Sequence, residues 1–114
     1  MHAAKATRTV QEVLKFIVAQ DYEGLLRLAP QSRVTAAEIK KAIAEYRCRP
    51  VMPAAPIEEL LDVVEVGGSR PKSWSVNLLL WMKEEGRSDL TLEMRFTESE
   101  AAIYSVEIDD LHVL

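Results

Sequence analysis

The feature that most constrains the fold is a period-two alternation of apolar and polar residues, which occurs three times in the second half of the chain. The apolar positions form three sets: Trp74, Val76, Leu78, Leu80 and Met82; Leu90, Leu92, Met94 and Phe96; and Tyr104, Val106 and Ile108. Successive side chains of a β-strand point to opposite sides, so each set predicts a strand with one face turned to a core. The short polar connections between the sets are typical of an antiparallel β-meander.

Helical spacing precedes the strands. Thr9 and Glu12 form a capping-box pattern, in which each side chain accepts a hydrogen bond from a free backbone N–H group at a helix start. Apolar residues follow at the spacing of one helical face, which predicts a first helix over about residues 10–20.

Two more helices are predicted before residue 50. Asp21 is a suitable N-cap for a short second helix that ends near Pro30. Thr35 and Glu38 repeat the capping box and start a third helix that ends near Arg47.

A proline-rich segment separates the two halves. Pro50, Pro53 and Pro56 predict an extended connection. We expect one helical turn from Ile57, then a short first strand, because Gly67-Gly68 supplies a turn into the meander.

The element order predicts an α+β fold with three N-terminal helices packed on one face of a three- or four-stranded antiparallel β-meander. We expect one domain over residues 1–114, with a helical half at about 9–48, a proline-rich connection at about 49–57 and a sheet half at about 60–114. A chain of this length buries about 65% of its unfolded surface, enough for a core without metal or disulfides.

Charge and composition exclude several classes of protein. The net charge of −4 and the scarcity of clustered basic residues argue against nucleic-acid binding. The sequence has neither a signal-peptide pattern nor an apolar run long enough to cross a membrane, so no membrane association is expected. Cys48 is the only cysteine, which is consistent with a cytoplasmic location. Its neighbours Arg47 and Arg49 would lower the thiol pKa, although a spectator thiol is the favoured interpretation.

The face of the sheet opposite the core also carries apolar residues. Leu79, Trp81 and Ile103 have the opposite parity to the core sets. Burying each would contribute roughly 1.5–3 kcal/mol, so we expect this outer face to be covered. Two interpretations are open, a crossing C-terminal segment of the same chain or the second subunit of a homodimer.

The connection between the first two alternating sets is rich in charge. Glu84, Glu85, Arg87 and Asp89 surround Gly86. In one interpretation this is a polar loop, in which Gly86 adopts a positive φ and Ser88 or Asp89 bonds the local backbone. In the other it is a recognition patch in which Arg87 binds a carboxylate.

Carboxylates and a histidine cluster only near the end of the chain, as Asp109, Asp110 and His112. Apolar residues change there from even to odd positions, which predicts a β-bulge or a bend that redirects the end of the chain. We hypothesise that Asp110 or His112 then points to the mouth of the space between helices and sheet. Metal binding needs three converging ligands, and this pattern supplies two, so neither a metal nor another cofactor is predicted.

Two resemblances to known families follow from these residues. Three helices before a curved meander, with Gln20–Leu26 (QDYEGLL) after the first helix, resemble cystatin-like folds of the nuclear-transport-factor-2 type. Trp81 together with the segments EEGRSDLTL (84–92) and IDDLHVL (108–114) resembles the signature of a small bacterial family of unknown function. The first resemblance implies a cone-shaped space between helices and sheet, and often dimerisation through the outer face. Its members include isomerases, dehydratases and non-catalytic binding domains.

An enzyme is not the favoured interpretation, because no Asp–Tyr or His–Asp pair is expected to point inward from the middle strands. We expect a non-catalytic binding or interaction domain that forms a homodimer, with another protein as a further partner. Two alternatives stay open. One is a small-ligand-binding protein or enzyme that uses the cone-shaped cavity, and the other is an acidic partner-specific inhibitor or immunity-type protein.

Overall fold

The three alternating segments form neighbouring strands of one antiparallel sheet, and a shorter strand precedes them. A computed structural model describes residues 1–113. Its helices are α1 (Ala3–Val18), α2 (Tyr22–Leu28) and α3 (Ala36–Tyr46), and a 3-10 turn spans Ile57–Leu60. Its strands are β1 (Leu61–Glu65), β2 (Ser73–Met82), β3 (Gly86–Thr97) and β4 (Ser105–Val113), in the order β1-β2-β3-β4. The predicted α+β class is confirmed, with four strands among the described residues.

The even-numbered residues of β2 and β3 face the helices, as the alternation predicts. The register places Leu78 opposite Leu92 and Val76 opposite Met94, and all four side chains are at most 1% exposed. Large side chains from both halves fill the interior. Those less than 2% exposed include Leu14, Ile17, Leu25, Ile39, Leu80, Met82, Leu90, Phe96 and Ile108. The space between helices and sheet is therefore an apolar core.

The first helix begins much earlier than predicted, at Ala3, so Thr9 is not its N-cap. The alanine-rich residues before Thr9 favour a helix, which continues through it. The Thr9 hydroxyl donates a hydrogen bond to the Lys5 carbonyl at 2.7 Å and accepts one from the Tyr104 N–H at 3.0 Å. Thr9 is fully buried, so it connects α1 to the start of β4.

The other helix boundaries follow local signals, as predicted. Asp21 accepts a hydrogen bond from the Gly24 N–H at 2.9 Å at the start of α2. Thr35 and Glu38 form the reciprocal capping box of α3. At the other end of α3, Arg47 adopts a left-handed conformation with φ of 64°.

The predicted bulge in β4 is confirmed. The ladder between β3 and β4 shifts so that Met94 lies opposite Ile108 but Glu93 lies opposite Asp110, which leaves Asp109 as the extra residue. This shift turns the odd-numbered Leu111 toward the core side, where it is buried.

A second irregularity interrupts the ladder between β2 and β3, near Leu80. The buried Ser88 hydroxyl donates to the Leu80 carbonyl at 2.7 Å and accepts from the Leu90 N–H at 3.2 Å. The side chain thus satisfies backbone groups where the regular ladder is broken.

Three polar backbone groups on the free edge of β4 are bonded within the chain. In the connection between α2 and α3, the Arg33 N–H donates to the Ile108 carbonyl and the Ser32 hydroxyl accepts from the Ile108 N–H, both at 2.9 Å. The Leu111 N–H donates to its neighbour Asp110 at 2.8 Å.

None of the helices between residues 1 and 113 is long and apolar enough to cross a bilayer.

The Thr9 contacts predict a measurable loss of stability. Thr9→Val keeps the shape of the side chain but leaves the buried Tyr104 N–H without its acceptor, so we expect a loss of about 1–3 kcal/mol in the free energy of unfolding. Urea denaturation followed by circular dichroism is the measurement. Thr9→Ser retains the hydroxyl and should lose less, so equal losses for the two variants would contradict this role.

Candidate functional site on the outer sheet face

The outer sheet face, defined as the side of the sheet opposite the helices, is open in the described residues. Its side chains come from all four strands: Asp62 and Val64; Ser75, Asn77, Leu79 and Trp81; Arg87, Thr91, Glu93 and Arg95; and Glu107, Asp110 and His112. Apart from Thr91, each of them keeps some solvent exposure. The end of the chain up to Val113 forms β4 instead of crossing this face. The interpretation in which a crossing C-terminal segment covers Leu79 and Trp81 is therefore wrong for the described chain.

Three ionisable side chains converge at one side of this face. Glu93 on β3 lies opposite Asp110 on β4, and His112 follows two residues later on the same side. The His112 Nε2 atom is 2.5 Å from the Glu93 Oε2 atom. One ligand atom from each of the three side chains lies within 4.8 Å of the others, and we call this group the acid–histidine cluster.

Asp110 and His112 also border shallow clefts at the edge between β4 and α3. Asp110 lines a cleft of about 310 Å³ with Glu38, Lys41 and other residues of α3. His112 lines a cleft of about 180 Å³ with Glu45. Both residues therefore sit at the rim between the helices and the sheet, while their ionisable groups meet Glu93.

Glu93 is not among the site residues that the sequence predicts. Its outer parity on the middle strand was readable, but its proximity to Asp110 depends on the register of β3 against β4. A signal was present in the predicted bulge, which fixes that register once β3 and β4 are paired.

A groove of about 220 Å³ lies on the same face, between β1 and the middle strands. Asp62, Asn77, Leu79 and Thr91 line it, together with residues of the preceding 3-10 turn. Asn77 lies directly opposite Glu93, and its Oδ1 atom is buried without a hydrogen-bond partner among the described residues. Thr91 is only 1% exposed despite its outer parity, since Leu79 and His112 flank it on either side.

In the hairpin between β2 and β3, Gly86 has the positive φ that the polar-loop interpretation predicts. Gly86 has a φ of 76°, and a Cβ there would lie 3.4 Å from the indole of Trp81. Trp81 therefore packs against the glycine backbone. Arg87 and Asp89 are exposed beside it and remain candidate partner-binding residues.

Glu84 and Glu85 hold this hairpin to the end of α3. Glu84 accepts a hydrogen bond from the Arg49 N–H at 2.9 Å, and this bond lowers the pKa of Glu84. The Tyr46 hydroxyl donates to Glu85, which raises the pKa of Tyr46. The same hydroxyl accepts from the Asp89 N–H at 3.3 Å. These contacts give both glutamates a structural role.

The environment of Cys48 does not activate its thiol. Desolvation is the main cause that raises the pKa of Cys48, and the nearby Glu85 and Glu84 carboxylates raise it further. The expected lowering by Arg47 and Arg49 is therefore wrong, and the spectator interpretation fits.

Two other predicted residues lie away from the acid–histidine cluster. Asp109 is the bulge residue, and one of its carboxylate oxygens is 3.8 Å from the Arg33 Nε atom, beyond hydrogen-bond distance. Ile103 lies in the connection before β4, where its carbonyl accepts from the Ser99 hydroxyl at 2.7 Å. Its assignment to the sheet face is wrong, because Ile103 precedes Ser105, the first residue of β4.

The pair of His112 and Glu93 predicts a pH dependence. The hydrogen bond to Glu93 is the main cause that raises the pKa of His112 above its ordinary value of 6.5. The interaction of protonated His112 with Glu93 therefore stabilises the fold fully below about pH 6.5. This contribution is lost as the pH rises through the raised pKa of His112 in the folded state.

We expect an NMR titration of the His112 ring signals to give a midpoint above 6.5, and Glu93→Gln to lower it. Glu107→Gln on the same face, next to Arg95 instead of His112, is the matched control and should leave the midpoint unchanged. A His112 midpoint at or below the ordinary value would show that the pair does not form.

Comparison with known proteins gives one match. The family model described as Domain of unknown function (DUF7668) matches residues 14–114, which include the whole sheet and the acid–histidine cluster. No curated protein and no solved structure matches the chain. The match agrees with the expectation of a family without an assigned activity. The chain belongs to the DUF7668 family of domains of unknown function.

Proposed function

We propose that this domain is a non-catalytic protein-binding module that forms a homodimer through its outer sheet face. The observation that carries the proposal is that this face is open and combines apolar side chains with charges of both signs. Such a surface favours association with another protein over plain solvation.

Apolar side chains lie on two strands of the face, with Val64 next to Ser75 and with Leu79 and Trp81 toward the other end of β2. Val64 on β1 is 61% exposed, although it is a large aliphatic residue. Leu79 and Trp81 on β2 are half-buried by their own chain and keep part of their surface in water. Removing this surface from water is the main favourable term in association, and tryptophan is enriched at the centres of interfaces.

The charged part of the face suits contact with a second copy. Arg95 lies opposite Glu107 on β4, and Arg87 and Glu93 lie on the same strand as Arg95. In a two-fold dimer the same patch meets itself, so a patch that contains both signs can pair opposite charges across the axis.

The size of the face is also sufficient. Four strands spaced about 4.8 Å apart, with an average length of about nine residues at about 3.3 Å each, give a face of roughly 600 Å² in plan. A standard interface buries about 800 Å² of accessible surface on each partner, which is of the same order.

Other features bear on the alternatives. The filled core supports binding at the surface over a ligand held inside the cone. Glu84 and Glu85 are bonded within the chain, so they lend no particular support to an acidic inhibitor. The cytoplasmic location expected from the single cysteine stays part of this proposal.

Analytical ultracentrifugation of the full chain at micromolar concentration tests the dimer. We expect a dimer for the parent protein and a monomer for Val64→Arg, which places a charge on the proposed interface. Because Val64 is mostly exposed, this variant should keep the parent circular dichroism spectrum and melting temperature. Trp81→Glu should also weaken the dimer.

Ala37→Arg on the exposed surface of α3 is the matched control and should leave the dimer intact. A monomeric parent protein would overturn the proposed homodimer. A dimer that survives both Val64→Arg and Trp81→Glu would show that another surface forms it.

A further inference from the structure

We propose that Glu93, Asp110 and His112 form a binding site for one divalent transition-metal ion, for which Zn²⁺ is the probe. This inference goes beyond the proposed protein-binding function and does not depend on dimerisation.

The kind and number of donor atoms fit such an ion. One imidazole nitrogen and two carboxylates are three of the ligands that zinc accepts, and three protein ligands leave one position of a tetrahedral ion open. Hard ions such as Mg²⁺ and Ca²⁺ favour sites made of oxygen alone, so the imidazole favours a transition metal.

The spacing of the donor atoms also fits. Ligands at about 2.1 Å from a tetrahedral ion are roughly 3.4 Å from one another. The three donor atoms already lie within 4.8 Å of one another. The His112 Nε2 and Glu93 Oε2 atoms, now 2.5 Å apart, would separate by about an ångström to admit the ion.

The backbone holds these donors in place. All three come from two paired strands, and the bulge at Asp109 brings Asp110 opposite Glu93. One Asp110 oxygen is fixed by the Leu111 N–H at 2.8 Å, which leaves the other oxygen for a ligand. Donors on paired strands are more accurately positioned than donors on loops.

A second observation concerns Asn77 on β2, the strand next to that of Glu93. Asn77 is directly opposite Glu93 on β2, and its Oδ1 atom is buried without a hydrogen-bond partner in the described chain. Buried acceptors are normally satisfied. The strand pairing thus places an unsatisfied acceptor next to Glu93, and a water molecule bound to the ion would bring a donor to this part of the face.

The competing interpretation is an ordinary ion pair between His112 and Glu93 beside a second carboxylate. The two interpretations differ in what Asp110 does, because the ion pair does not need it, whereas a metal site with three ligands does. A test must therefore include Asp110 as well as the pair.

Isothermal titration of the full chain with ZnCl₂ is the test, with Co²⁺ absorption as a second readout of coordination. We expect one equivalent of Zn²⁺ to bind. His112→Ala, Glu93→Gln and Asp110→Asn should each weaken binding by at least about ten-fold, because loss of an outer-shell partner alone costs 10–100-fold. Circular dichroism melts check that each variant is folded.

Two matched controls separate this site from other sources of affinity. His2→Ala removes the other imidazole of the chain, and Glu107→Gln removes a carboxylate of the same face outside the cluster. Both should bind Zn²⁺ like the parent chain, and so should Val64→Arg, even if the homodimer is lost. Absence of saturable binding at about 100 µM Zn²⁺, or unchanged affinity in His112→Ala or Asp110→Asn, would overturn the site.

Discussion

The pairing of β3 with both of its neighbours is the constraint on which the rest of the structure depends. Its even-numbered side chains, such as Leu92 and Phe96, are buried against the helices. A slip of one residue would turn these side chains to solvent and place Glu93 in the core, at a cost of many kcal/mol. The apolar packing that stabilises the domain therefore also fixes the positions of the charged groups on the other side of the sheet.

The bulge at Asp109 allows β4 to bury its apolar side chains and to keep Asp110 and His112 outside the core. Without it, the parity of Val106 and Ile108 would continue, and Asp110 and His112 would point into the apolar core. With one extra residue in the strand, the two ionisable groups turn outward and meet Glu93. The bulge thus stabilises the end of the sheet and creates the acid–histidine cluster in the same step.

Features set by neighbouring residues were predictable from the sequence. The capping box of Thr35 and Glu38 and the N-cap Asp21 are formed as expected, because each involves residues three positions apart. The alternation of the strands was equally clear, since burial of one face imposes its period. The change of parity even revealed the bulge.

Features that depend on distant contacts were not predictable. Thr9 has the same local pattern as Thr35, yet its hydroxyl bonds Tyr104, far along the chain, and its helix starts earlier. Glu93 belongs to the cluster only through cross-strand register. Ile103 has the parity of a strand residue but lies in a turn. For Thr9 and Glu93 the deciding interaction joins residues that the local sequence does not relate, whereas the Ile103 carbonyl is bonded by Ser99, four residues earlier.

The way β4 is bonded along its outer edge has a consequence for aggregation. An edge strand with free N–H and C=O groups is a template on which another chain can add a strand, and repeated addition produces fibres. Here Ser32 and Arg33 occupy both backbone groups of Ile108, and the carboxylate of Asp110 occupies the Leu111 N–H. An incoming strand would have to break these bonds and approach a negative charge. The edge between Ile108 and Leu111 is thereby protected against the addition of further strands.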